Sequence, residues 1–283
     1  MSALDDAPNT RRTSRRGAVQ RMLAVVASAA LLGAGMVAVE STAVSALTLQ
    51  SPTVIYQDDV NGDYVLVGNG VLRSTGAAAA GGPSVNQLHN GTAGANYVND
   101  MALMANNTVA DLPGAANGSN ATLSVPAGAS IVKAQLSWAG NLGQRKDRNG
   151  NVVSGYACGD YGAAAVPSGS ASTQTLQLKV GSSSVQSVAT ANYFGETIAA
   201  TANSNSNYYS ASQDVTSIFQ AAMGVSDGTV QTVSVGNLWA ATGAGCFAGW
   251  SLTVVYDFGQ LIAGNAASAG RNVVLYSGHV CQA

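Results

Sequence analysis

From Thr53 to Tyr276 the chain alternates short runs of β-branched and aromatic residues with clusters of Gly, Ser, Asn and Pro, the punctuation of an all-β fold. In Ile131–Trp138 the residues Val132, Ala134, Leu136 and Trp138 fall on one face, and Lys133, Gln135 and Ser137 fall on the other. That period of two predicts a half-buried strand. Further runs predict strands at Tyr97–Ala105, Ala121–Val125, Leu176–Val180, Val185–Ala189, Val230–Trp239, Trp250–Tyr256 and Asn272–Tyr276. Thr53–Tyr56 and Tyr64–Leu72 flank the turn-rich hexamer Asp58–Asp63, and a hairpin is expected there. Gly76–Pro83 reads as a loop, and Pro126-Ala127-Gly128-Ala129 as a turn. The pattern changes once. From Asp214 to Met223 the residues Val215, Ile218, Phe219 and Ala222 recur at helical spacing behind Asp214, a side chain able to cap. The expected fold is therefore all-β, an antiparallel β-sandwich (jelly-roll-like) with one short helix. Alternating βα units are absent, which argues against a doubly wound sheet.

The first forty-six residues obey a different logic. Five arginines (Arg11, Arg12, Arg15, Arg16, Arg21) precede an apolar run from Met22 to Val39, and small residues follow up to Val44-Ser45-Ala46. Charged, apolar and small-residue regions in that order read as a secretory signal peptide cleaved before Leu47. Ser14-Arg15-Arg16 hints at twin-arginine export, but Gly17-Ala18-Val19 lacks the bulky pair that usually follows. Residues 47–283 are expected to form a single β-sandwich domain, secreted or held at the cell surface, with no transmembrane anchor after the signal.

Charge narrows the partners. The chain has 12 Lys and Arg against 14 Asp and Glu; five of those Arg and three of those acids precede Leu47, which leaves a net charge of about −4. No Lys/Arg stripe exists to neutralise phosphates, so nucleic-acid binding is not expected. The cluster Arg145-Lys146-Asp147-Arg148 carries its own acid beside Asn149-Gly150 and reads as a solvated turn. Three cysteines, Cys158, Cys246 and Cys281, match no metal knuckle. Export permits a disulfide, for which Cys158 and Cys246 are the candidate pair, leaving Cys281 as a thiol.

Each motif with possible chemistry has a plainer rival. Gly224-Val225-Ser226-Asp227-Gly228 has the spacing of a nucleophile elbow, and Asp257 and His279 follow in hydrolase order. An elbow needs a strand before its serine and a helix after it. Here the order is reversed, so a Ser226-based hydrolase is disfavoured and Gly224 reads as the end of the helix. Asp59, Asn61 and Asp63 have the spacing of the first half of a calcium loop, but Gly70 stands where the bidentate glutamate belongs. They remain a weak metal candidate, and no cofactor is expected. His89 and His279, the only histidines, read as surface residues. The formal sequons at Asn90, Asn106, Asn117 and Asn120 read as turn composition. Trp138, Trp239 and Trp250, with Tyr208, Tyr209 and Phe247, would stack on sugars if exposed, but strand positions favour burial of the tryptophans.

The stretch from Asn120 through Pro126 and Gly128 to Gly140, Asp214-Val215-Thr216, Ala248–Tyr256 and Arg271–Gly278 together resemble a β-sandwich head module of secreted Gram-positive, chiefly actinobacterial, surface proteins. The resemblance runs from about Val54 to Gly278. It implies a non-catalytic module that precedes adhesin-like repeats, with Trp138 and Trp250 as core anchors. It also implies further strands after Gly278, whereas the sequence ends at Ala283, so a stand-alone version and a shortened one both remain open. Any binding surface is expected in the loops Gly140–Pro167 and Ala199–Tyr208.

The function expected from these readings is that of an exported, non-enzymatic structural or adhesion-type protein, its partner a cell-wall component or another secreted protein. A carbohydrate-binding module or secreted glycan-active enzyme is the alternative. Nothing in the sequence sets the oligomeric state.

Overall fold

The computed structural model describes residues 50–78, 102–143, 158, 164–196 and 207–279. They form a mostly antiparallel all-β, sandwich-like fold with one α-helix. The largest sheet contains β1 (Gln50–Gly70), β5 (Ser130–Gly143), β8 (Ala191–Gly195), β9 (Asn207–Asp214), β12 (Ala248–Asp257) and β13 (Gly270–His279), bonded in the order β13-β1-β12-β5-β9-β8. A second sheet has the order β4-β10-β6-β7, built from Ser119–Leu123, Gln231–Gly236, Thr175–Val180 and Gln186–Ala189 respectively. A small third sheet joins β11 (Gly243–Ala244), β3 (Ala102–Asn106) and β2 (Leu72–Ala78).

The main core lies between the first two sheets. Leu136, Trp138, Leu252 and Val254 enter it from β5 and β12, and Leu176, Leu178, Val233 and Val235 enter from β6 and β10. Each set occupies alternate positions of its strand, which is how a period of two turns into one buried face. The helix α1 (Thr216–Met223) closes one end, with Phe219 fully buried.

The Asp58–Asp63 hairpin is not formed. β1 runs unbroken for 21 residues because its two halves have different partners. Asn61 and the residues before it pair with β13, whereas Gly62 to Gly70 pair with β12. The first half and β13 make a ribbon over the outer face of the large sheet, where Val60 and Val273 meet Val255 in a second, smaller core with Tyr56, Val132 and Leu275 packed against it. Turn-forming residues are thus absorbed into a long strand because every backbone position finds a ladder partner. Gly62 marks the changeover. A Cβ placed there would lie 1.9 Å from the Tyr256 carbonyl oxygen.

Three further departures have local causes. Val132 does not share the core face with Ala134, Leu136 and Trp138. Val255 pairs with Lys133 but Tyr256 pairs with Ile131, so Val132 is the extra residue of a bulge that hands the inner position to Ile131. The helix starts at Thr216 rather than Asp214, with Val215 at the N-cap position; Asp214 instead accepts the Thr216 N–H through Oδ1 at 2.9 Å. Val215 cannot shift, because its N–H donates to the Ala134 carbonyl of β5 at 2.9 Å. Finally, β8 and β9 arise from Tyr- and Ser-rich segments whose alternation is too weakly apolar to announce a strand.

The Pro126–Ala129 turn forms, with Gly128 at φ +85°. Among the described residues no helix is long and apolar enough to cross a membrane.

Candidate functional site

A cleft of about 560 Å³ opens between the end of the β1–β13 ribbon and the outer face of the large sheet. Strand register explains its origin. Ser251, Ser137 and Ser212 stand side by side on β12, β5 and β9, and the neighbouring row is Gly249, Ala139 and Ser210. Only Ser210 and Ser212 touch β13, at His279 and Ser277, and the other side chains of the two rows are too small to fill the space beneath the ribbon, so a gap persists where Val255 and Val273 close it further along. Ser277 and Gly278 of β13, with Gln50 of β1, form the opposite wall. Gly278 is required at that close approach, since a Cβ would lie 2.7 Å from the Pro52 Cα. Among the described residues none that lines it is charged.

At one side of the cleft three side chains form a hydrogen-bonded chain. The Ser210 hydroxyl lies 2.7 Å from His279 Nδ1, and His279 Nε2 lies 3.0 Å from Glu196 Oε1. An ionised carboxylate only accepts, so in the tautomer that satisfies both contacts Nε2 donates to Glu196 and Nδ1 accepts the Ser210 O–H. Glu196 is held in turn. It is 5% exposed, its Oε2 accepts the Tyr208 N–H at 3.1 Å, and its own N–H donates to the Tyr208 carbonyl at 2.9 Å. The Phe194 ring lies 4.3 Å from the imidazole and covers it. A bulge in β8, where two residues lie between Ala191 and Phe194 opposite only one on β9, turns Asn192 to φ +44° at the cleft wall. Ser212 of the sheet and Ser277 of the opposite wall approach at 3.5 Å.

Sequence reasoning missed Ser210 and Glu196 and read His279 as an ordinary surface residue. Ser210 is on β9, His279 at the end of β13 and Glu196 just after β8, and only tertiary pairing brings them together. The available signal was the alternation Tyr209-Ser210-Ala211-Ser212, which puts both serines on one face.

The other candidates are engaged separately. Ser226 is buried at the turn after α1, where its hydroxyl donates to the Val125 carbonyl at 2.8 Å. Asp257 accepts the N–H groups of Asn61 and Gly259, each at 2.9 Å, while His279 is held by Glu196 and Ser210. Asp59 accepts the Asn272 side-chain amide at 2.8 Å, Asp63 lies 3.2 Å from the Arg271 guanidinium, and Asn61 sits between them on β1. Among the described residues no group of three His, Cys, Asp or Glu side chains is placed to hold a metal ion.

Cys158 and Cys246 are joined by a disulfide with Cα atoms 4.8 Å apart. It packs with Ala241, Leu72 and Met104 beside the small sheet. Trp138 and Trp250 are 2% and 4% exposed, so neither is a stacking surface. Phe247 is 48% exposed, lines the cleft, and lies 5.5 Å from the Tyr208 ring. His89, Asn90, Cys281, the signal-like segment, the Arg145–Arg148 cluster and most of the two loops expected to bind lie outside the described residues.

No family model matches this chain. No curated protein and no solved structure matches it either.

Proposed function

We propose that this is an exported cell-surface or extracellular protein of structural or adhesion type, which works by contact through the outer-face cleft. The observation that carries the reading is the cleft itself: uncharged among its described lining residues, floored by serine hydroxyls and bordered by an exposed aromatic ring. Such a surface suits a neutral, hydrogen-bonding partner such as a cell-wall component or a secreted protein, and offers nothing to an anionic polymer. The Cys158–Cys246 disulfide supports an oxidising compartment, in keeping with a signal peptide at residues 1–46. The Gram-positive head-module resemblance supports the same location.

Exposed Phe247 against Tyr208 favours a second reading, recognition of glycans, because an aromatic edge beside converging hydroxyls is how neutral sugars are held.

Retention of the purified protein on cell-wall preparations, matrix proteins and co-secreted proteins tests the first reading, and a glycan array tests the second. Phe247→Ala and Ser137→Asn should weaken whichever retention is found. Failure to be retained on any of these surfaces removes the contact reading.

A further inference from the structure

We propose that Ser210 is an activated nucleophile, with His279 as its general base and Glu196 as the residue that positions the base. On this inference the cleft cleaves acyl esters of uncharged alcohols. It goes beyond surface contact and adds a chemistry that no motif in the sequence announces.

Geometry is the first support. Nucleophile to base is 2.7 Å and base to carboxylate is 3.0 Å, both within hydrogen-bond reach, and the carboxylate is itself clamped by a backbone N–H. The imidazole is used through Nδ1 towards serine and Nε2 towards glutamate. Either ring nitrogen serves as a base once the other is held in its N–H form. Accessibility is the second support. Ser226 is buried against a carbonyl, whereas Ser210 lines an open cleft. The third is the set of groups around it: Asn192, Ser137 and Ser212 line the same cleft and are the donors available to a developing oxyanion. The described lining residues are all uncharged, which suits a neutral ester, and the volume admits a short acyl group with part of its alcohol.

The electron accounting closes with water as the only co-reactant. Ser210 Oγ bonds to the ester carbonyl carbon as its proton passes to His279 Nδ1. The tetrahedral adduct collapses, the C–O bond to the alcohol breaks, and the imidazolium returns the proton to the leaving oxygen. Water then attacks the acyl-serine, gives a proton to the same nitrogen, and Ser210 leaves as the hydroxyl with the carboxylic acid released.

The test uses the full oxidised protein with a fluorophosphonate probe, followed by peptide mapping, and with 4-nitrophenyl acetate as substrate. A single phosphonyl adduct on the Ser210 peptide is expected. It should vanish in Ser210→Ala and form about 100-fold or more slowly in His279→Gln. Glu196→Gln should slow labelling and lower kcat for 4-nitrophenyl acetate with KM unchanged, a split that a purely structural role would not give. A thermal melt of each variant checks folding, and Ser226→Ala, outside this site, should label normally. If the folded protein takes up no label at Ser210, or if Ser210→Ala leaves esterase turnover unchanged, the proposal is overturned. Loss of thermal stability in His279→Gln with no label on the parent protein would make the three residues a clasp for β13 instead. Retention on surfaces is a separate readout, made on the unlabelled parent protein without any ester present, so failure of the chemistry and failure of the contact reading are distinguishable.

Discussion

The Trp250 indole N–H donates to the Ser119 hydroxyl at 2.8 Å inside the core, tying the central β12 of one sheet to the edge strand β4 of the other. Trp138, directly across the β5–β12 ladder from Trp250, has no hydrogen-bond partner for its own indole nitrogen among the described residues. The two rings fill similar space but differ in what their removal leaves behind.

Trp138→Ala and Trp250→Ala should each destabilise the fold by about 3–5 kcal/mol, the usual cost of deleting a buried large aromatic. The Phe variants should separate them. Trp250→Phe strands the Ser119 hydroxyl and should cost about 1–3 kcal/mol more than Trp138→Phe. Urea melts of all four variants measure this, and equal costs for the two Phe variants would mean that the indole bond contributes nothing.

Gly62→Ala should be among the most damaging single-methyl changes. The added carbon would meet the Tyr256 carbonyl of β12, which is ladder backbone and cannot rotate away. A loss of about 3 kcal/mol or more is expected from overpacking at a site without slack. Gly259→Ala is a useful contrast, since space is open around it although its φ of +72° carries strain.

Replacing Cys158 and Cys246 together with serine should lower stability by about 4.5 kcal/mol, the chain-entropy expectation for a loop closed over 88 residues. Denaturation with and without reductant should reproduce the difference. Thiol titration of the unfolded, unreduced protein should find one free cysteine, Cys281. A titre near zero would mean that Cys281 is engaged with another chain or partner.

Acid should weaken the junction between β9 and β5. Burial opposes ionisation of Asp214, but bonds from Lys133 Nζ at 2.6 Å and from the Thr216 hydroxyl and N–H outweigh it and hold the carboxyl below its ordinary range. A depressed folded value means a contribution fully present above the unfolded carboxyl value, near about pH 4, and lost as pH falls through the folded one. Asp214→Asn should therefore be less stable at neutral pH and show a shallower loss below about pH 4. An unchanged acid limb would show that the bonds are too exposed to matter.

Alternation determined much of the architecture in advance. Ile131–Trp138, Leu176–Val180 and Trp250–Tyr256 are strands because a period-two apolar face can only be satisfied by a sheet with one buried side, and Phe219 marks the helix because its spacing cannot. Those are local properties, written in neighbouring residues. Tertiary structure decided whatever depended on a distant partner. The Asp58–Asp63 segment became strand because β13 lies alongside it, and the bulge at Val132 came from the register against β12. The cleft exists because small residues on three strands fall in register beneath a ribbon that the sequence does not foretell. Ser210, His279 and Glu196 share no spacing. They meet because the end of β13 lies against β9 and the residue that follows β8, and a hydrogen bond depends on distance in space rather than along the chain.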